Sequence, residues 1–243
     1  MIDRLLARWI IRQIALLCCI LFGGFQLEAQ VVKTSGAARN VMMGTDLSST
    51  VQLDTLLQTK HMYALGPVHD LQGEITVFDG LPYVSNTEDG LVATKIDSSM
   101  RAPFLVYTHV NEWIEYTMDL SISSLEDITL LIDSLARVQD IDTNKAFPFR
   151  LQANWTQVDY HIIMRDTMEV GHNHERHDQA KQKYSEQAVS ADLIGFFSRH
   201  HEGVFTHRGQ FVHVHYLRED LTVTGHLDGI SHDGTVVIFL PNK

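Results

Sequence analysis

Apolar positions recur along this chain with periods that separate helices from strands. From Ser124 to Ala136 the sequence SLEDITLLIDSLA puts Leu125, Ile128, Leu131, Ile132 and Leu135 on one face of a helix. Ser124 is its N-cap, with Asp127 three residues on. A shorter run, Thr50 to Thr59, carries Leu53, Leu56 and Leu57 and predicts a short amphipathic helix. Residues 73–80, between two glycines, and 103–110 read as strands. The second half is strand-rich, with extended patterns at 149–154, 157–164, 191–197, 210–217, 222–228 and 235–240. Residues 30–50 are small and polar and read as a tail or an entry segment, and 169–186 as a polar stretch rich in His, Lys and Gln. The pattern predicts an α+β fold (two-layer α/β), with mixed and antiparallel β-sheets and a few helices. A division near residue 145 separates an N-terminal α/β part, 30–145, from a β-rich C-terminal part, 146–243.

The N-terminus follows a different logic. Arg4, Arg8 and Arg12 precede an apolar stretch from Ile14 to Phe25, and a short segment ends at Ala29. This is the layout of a secretory signal peptide over residues 1–29, with cleavage after Ala29. The apolar stretch is too short for the ~20 residues of a spanning helix. The expectation is therefore an exported protein, periplasmic or secreted, with no membrane association after cleavage.

Charge and composition now narrow the function. The 243 residues carry a net charge of −11, with no basic stripe, which argues against a nucleic-acid partner. Both cysteines, Cys18 and Cys19, lie in the leader. The processed chain would then have neither thiolate metal sites, nor Cys nucleophiles, nor disulfides. A metal would have to be held by His and carboxylates, which favours zinc or another divalent first-row ion.

Eleven of the 14 His lie after residue 160. In Phe211-Val212-His213-Val214-His215-Tyr216, His213 and His215 share one strand face because side chains alternate. If a four-residue loop, 218–221, joins this strand to 222–228, residue 217 faces 222, 215 faces 224, and His213 faces His226. Three imidazoles so placed can share one ion and leave a coordination position open, as catalytic zinc sites do. The same spacing also suits an exposed polar strand face. Gly225 would let the backbone approach a ligand closely.

The sequence resembles the acetolactate decarboxylase family on several pieces in the same order. These are His213-x-His215 with Gly225-His226 eleven residues on, Leu71-Gln72-Gly73-Glu74 after Leu65-Gly66, Pro103-Phe104-Leu105-Val106, and Leu193-Ile194-Gly195-Phe196. Together they span roughly residues 40–240. The resemblance implies a two-domain α/β enzyme, usually a homodimer, that converts 2-acetolactate to acetoin and carbon dioxide. A zinc ion on His213, His215 and His226 would act as a Lewis acid and stabilise an enediolate, which a side chain then reprotonates. Glu74 matches the family's active-site carboxylate. The family's active-site Arg falls on His161 when counted without gaps, or on Arg165 with a shift. Pro67 stands where a Thr is expected. Family members can carry a longer tail with another carboxylate, whereas this chain ends 17 residues after His226.

Two other readings compete. His213-x-His215-x-x-x-Glu219 resembles a cupin motif, in which Glu219 would be a fourth ligand. In a non-enzymatic exported metal-binding protein His172, His174 and His177, which otherwise read as a solvated loop, would matter as much as the strand His. His200, His201 and His207 precede the strand of His213, as candidates for the pocket mouth or for partners of the ligand imidazoles.

Overall fold

The computed structural model describes residues 31–57, 60–169, 171–207 and 209–242. The expected leader, residues 1–29, and its expected cleavage site lie outside the described residues. Thirteen strands, three α-helices and two short 3-10 turns make up the described elements. Six strands form the first sheet: β1 (Lys33–Ser35), β8 (Leu105–His109), β3 (Met62–Pro67), β4 (Glu74–Phe78), β5 (Leu81–Glu88) and β6 (Leu91–Ile96), in that spatial order. Two short strands, β2 (Val51–Gln52) and β7 (Arg101–Ala102), pair separately. The second sheet runs β10 (Phe147–Ile163), β11 (Lys181–Phe197), β12 (Val212–Arg218), β13 (Thr224–Pro241), β9 (Trp113–Ile122), and β13 also pairs with β10. That extra pairing closes four long strands into a ring, which leaves β10 no open edge. The chain passes from the first sheet to the second between His109 and Trp113, so β9 and helix α2 (Leu125–Val138) pack with the second sheet.

The α+β class holds, with every ladder between these strands antiparallel rather than mixed. Helix α2 forms where the periodicity placed it. The Ser124 side chain accepts the Asp127 N–H, and Ile128, Ile132 and Ala136 are buried. The helix expected over Thr50–Thr59 does not form: Val51–Gln52 is a strand, followed by one 3-10 turn at Leu53–Thr55. Ten residues make a marginal helix, and pairing with β7 takes the backbone of Val51 and Gln52 instead. Of the two readings of this N-terminal stretch, residues 31–50 form an entry segment rather than a tail, since β1 pairs with β8 and helix α1 (Ala38–Met43) buries Val41.

The two strands expected at 149–154 and 157–164 are one, β10. Its buried positions switch from Phe149, Leu151 and Trp155 to Val158, Tyr160 and Ile162, and its pairing with β13 shifts between Gln152 and Gln157. A phase slip of one residue is what a bulge does to a strand, and it turns His161 away from the core beneath α2. Residues 222–228 and 235–240 likewise join into β13. The polar stretch 169–186 contains helix α3 (His174–Gln179) and the start of β11. A second apolar layer, with Leu65, Phe104, Ile163, Phe196 and Phe205, lies between the two sheets, and Phe104, Ile163 and Phe205 line a pocket there.

Candidate metal centre

The hairpin of β12 and β13 forms, but its register differs from the expected one. His215 faces His226 and Leu217 faces Thr224. The Arg218 N–H donates to the Val223 carbonyl at 2.9 Å, so the four-residue loop is 219–222 rather than 218–221. Asp220 shapes it by accepting from the Thr222 N–H and the Arg218 guanidinium. A loop that starts one residue later moves the pairing by two, which keeps the parity and leaves all three imidazoles on one face.

His226 also faces His161 across β13 and β10. His215, His226 and His161 therefore form a row over three adjacent strands, with His213 beside His215. Ring centroids lie 5.1 Å apart for His213–His215, 4.9 Å for His213–His226, 5.4 Å for His215–His226 and 4.7 Å for His161–His226. One nitrogen from each of His213, His215 and His226 falls within 4.8 Å of the others. Gly225 serves β10 rather than a ligand: a Cβ there would lie 2.7 Å from the Tyr160 ring and 2.9 Å from the His161 carbonyl.

Strand β4 brackets His215 from both ring nitrogens. Thr76 Oγ1 lies 2.9 Å from Nδ1, and Glu74 Oε2 lies 3.8 Å from Nε2. The Thr224 hydroxyl reaches Thr76 Oγ1 and the Tyr216 carbonyl, each at 2.7 Å. If Thr224 donates to that carbonyl, Thr76 donates to Thr224 and accepts from His215 Nδ1–H. Nε2 then keeps its lone pair for the cluster. His215 Nε2 and His213 Nδ1 are both buried without a hydrogen-bond partner. Phe104 stacks on His213 at 5.9 Å, nearly parallel. Burial pushes the His213 imidazole down to about 3, and His215 and His226 well below the usual range. Neutral rings with unused lone pairs are what a divalent ion needs, and the donor set fits one.

Glu74 is almost fully buried. Its Oε1 accepts the Ile163 N–H at 3.3 Å, and desolvation raises its carboxyl well above the ordinary carboxylate range. His161 donates from Nδ1 to the Asp228 carboxylate, at 2.8 Å to Oδ2. Both line a pocket with Pro67, Phe104, His213 and His226.

A family model described as alpha-acetolactate decarboxylase matches residues 36–239, most of the chain. The chain belongs to the alpha-acetolactate decarboxylase family. That family is one of carboxy-lyases. The fold agrees with its solved members. Alpha-acetolactate decarboxylase from Bacillus subtilis strain 168 superposes with a TM-score of 0.71 at 16% identity, over 87% of this chain and 86% of that one. A Staphylococcus aureus protein, of unknown function and similar to alpha-acetolactate decarboxylase, gives 0.70 at 15% identity, covering 88% and 86%. Acetolactate decarboxylase from Bacillus subtilis subspecies spizizenii gives 0.72 at 14%, covering 87% and 86%. At these identities the likeness is one of fold. No curated protein matches the sequence.

Within this decarboxylase fold the two Arg alternatives part. His161 lines the pocket, whereas Arg165 follows the end of β10, with its guanidinium 3.9 Å from Asp70 and 3.4 Å from the Glu169 carbonyl. Glu219 is exposed in the hairpin loop, away from the imidazoles, so the cupin arrangement is not formed. Nor do His172, His174 and His177 form a metal cluster among the described residues. His174 is exposed and pairs with Asp178. His177, read from sequence as part of a solvated loop, is instead buried and lines the pocket, as does His207. His201 bonds Ser198 and stacks on Phe205, and His200 is exposed. Sequence reading missed Thr76 and Asp228. Thr76 lies two residues from Glu74, and so on the same strand face, and Asp228 two residues from His226.

Proposed function

We propose that this protein decarboxylates 2-acetolactate to acetoin and carbon dioxide, using zinc held by His213, His215 and His226. The observation that carries the reading is the convergence of those three imidazoles beside buried Glu74, in a chain of this family. Bound zinc would supply a Lewis acid at the substrate's hydroxyl and ketone oxygens, where charge collects as carbon dioxide leaves. Thr76 holds the His215 ring in its tautomer. Glu74 keeps a proton at Oε2, since Oε1 is occupied by the Ile163 N–H. It delivers that proton to one face of the carbon that has lost carbon dioxide. His161, with Nδ1–H committed to Asp228, offers Nε2 as an acceptor for the substrate hydroxyl. Phe104 and Phe205 line the site with apolar surface. Arg165 has no part in this scheme.

Purified protein with zinc should release carbon dioxide and form acetoin from racemic acetolactate. No release, with one equivalent of zinc still bound, sinks the reading. His226→Ala should lose both zinc and turnover, measured by elemental analysis and gas release, while His174→Ala keeps both. We also propose export with cleavage after Ala29, and a homodimer as the family resemblance implies. N-terminal sequencing of the exported protein should start at Gln30, and an intact Met1 terminus would count against processing.

A further inference from the structure

The substrate proposed above is an anion, yet the chain is acidic overall and, among the described residues, no Arg or Lys lines the pocket. Its carboxylate needs a hydrogen-bond donor that faces the pocket and is not already used. Arg165 points to Asp70 and Glu169 instead. His161 commits Nδ1 to Asp228 and, in the function proposed above, Nε2 to the substrate hydroxyl. Three of the remaining imidazoles form the metal cluster. That leaves His177 and His207.

We propose that His177 binds the substrate carboxylate through Nε2–H, which makes α3 the element that selects a 2-hydroxy acid. The inference rests on the function proposed above. His177 is only 8% exposed and lines the pocket with Glu74 and His161. Its Nδ1 lies 3.3 Å from His172 Nε2, while His172 Nδ1 is buried with no partner. A proton on His172 Nδ1 would be a buried N–H without an acceptor, so the proton belongs on Nε2 and is donated to His177. Burial holds His177 neutral, pushed down to about 3, so its single proton sits on Nε2, the nitrogen left for a ligand. The segment is held firmly. Asn173 caps α3 by accepting the Arg176 N–H, and Gly44, at φ +66°, packs so closely that a Cβ would lie 2.2 Å from the His172 carbonyl oxygen.

Two probes isolate the carboxylate. 2-Hydroxy-2-methylbutanoate has the acid and hydroxyl but no ketone, and acetoin has the ketone and hydroxyl but no acid. Calorimetry on the zinc-loaded protein should show His177→Ala weakening the acid tenfold or more and acetoin less than twofold. His177→Gln, which keeps a donor, should recover most of that loss, and zinc should stay at one equivalent in both variants. With acetolactate, His177→Ala should raise KM tenfold or more and change kcat less than threefold. Equal losses for both probes, unchanged affinity for the acid, or no binding of the acid to the wild type would overturn the proposal. If the acid binds through His177 but acetolactate is not turned over, the decarboxylase reading fails and the 2-hydroxy-acid site stands.

Discussion

Thr76 shows how much a single hydroxyl decides in this site. A His ligand needs one nitrogen bare, and the other nitrogen's partner determines which one that is. Thr76 Oγ1 sits 2.9 Å from His215 Nδ1 and is itself fixed by Thr224. Thr76→Val keeps the volume and removes the partner. Zinc affinity should fall about 10- to 100-fold, read by competition with a chelator, with the fold intact by circular dichroism. An unchanged affinity would show that packing alone sets the ring. The three ligand candidates were legible in the sequence because strand parity survives a shift of two. Thr76 was not, since its importance comes from a residue 139 positions away.

Elements with local signals were easier to read than those set by distant pairing. Helix α2 carries its cap and its apolar face within its own residues. Ser124→Ala should cost about 1 kcal/mol, seen as a lower urea midpoint, with zinc binding unchanged because α2 lies on the far side of the second sheet from the imidazoles. The Thr50–Thr59 segment has an apolar spacing that fits a helix, yet a two-residue ladder with Arg101 and Ala102 overrides it. The hairpin of β12 and β13 had the right loop length and the wrong starting residue. Arg218 can end a strand or begin a turn, and the ladder bond to Val223 settles it.

Over the whole molecule, burying several imidazoles has a consequence for stability. An unfolded His titrates near 6.5, whereas folded His177 is pushed down to about 3, so between these values the unfolded chain binds the extra proton. Stability should be fully present above about pH 6.5. It should fall as the pH drops, by up to about 1.4 kcal/mol per unit for this one group, and level off below about 3. Urea midpoints of the metal-free protein at pH 7.5, 6.0 and 5.0 should follow that trend, with a shallower slope in His177→Gln. A flat profile would mean that α3 opens and lets His177 protonate without unfolding the rest.

By itself the sequence determined which residue types were available and on which strand face they fell. It carried the strand-rich character, the helix from Ser124, the His213, His215 and His226 set, Glu74, and the family likeness. Periodicity is a property of neighbours along the chain, so these features needed no knowledge of distant partners. Only the tertiary structure decided that His226 stands between His215 and His161, and that the inter-sheet layer brings β4 against β12. It alone decided that His161 lines the pocket and Arg165 does not, and that His177 leaves solvent. Each of these depends on which strands pair and on the bulge in β10, choices made by burial summed over the whole fold.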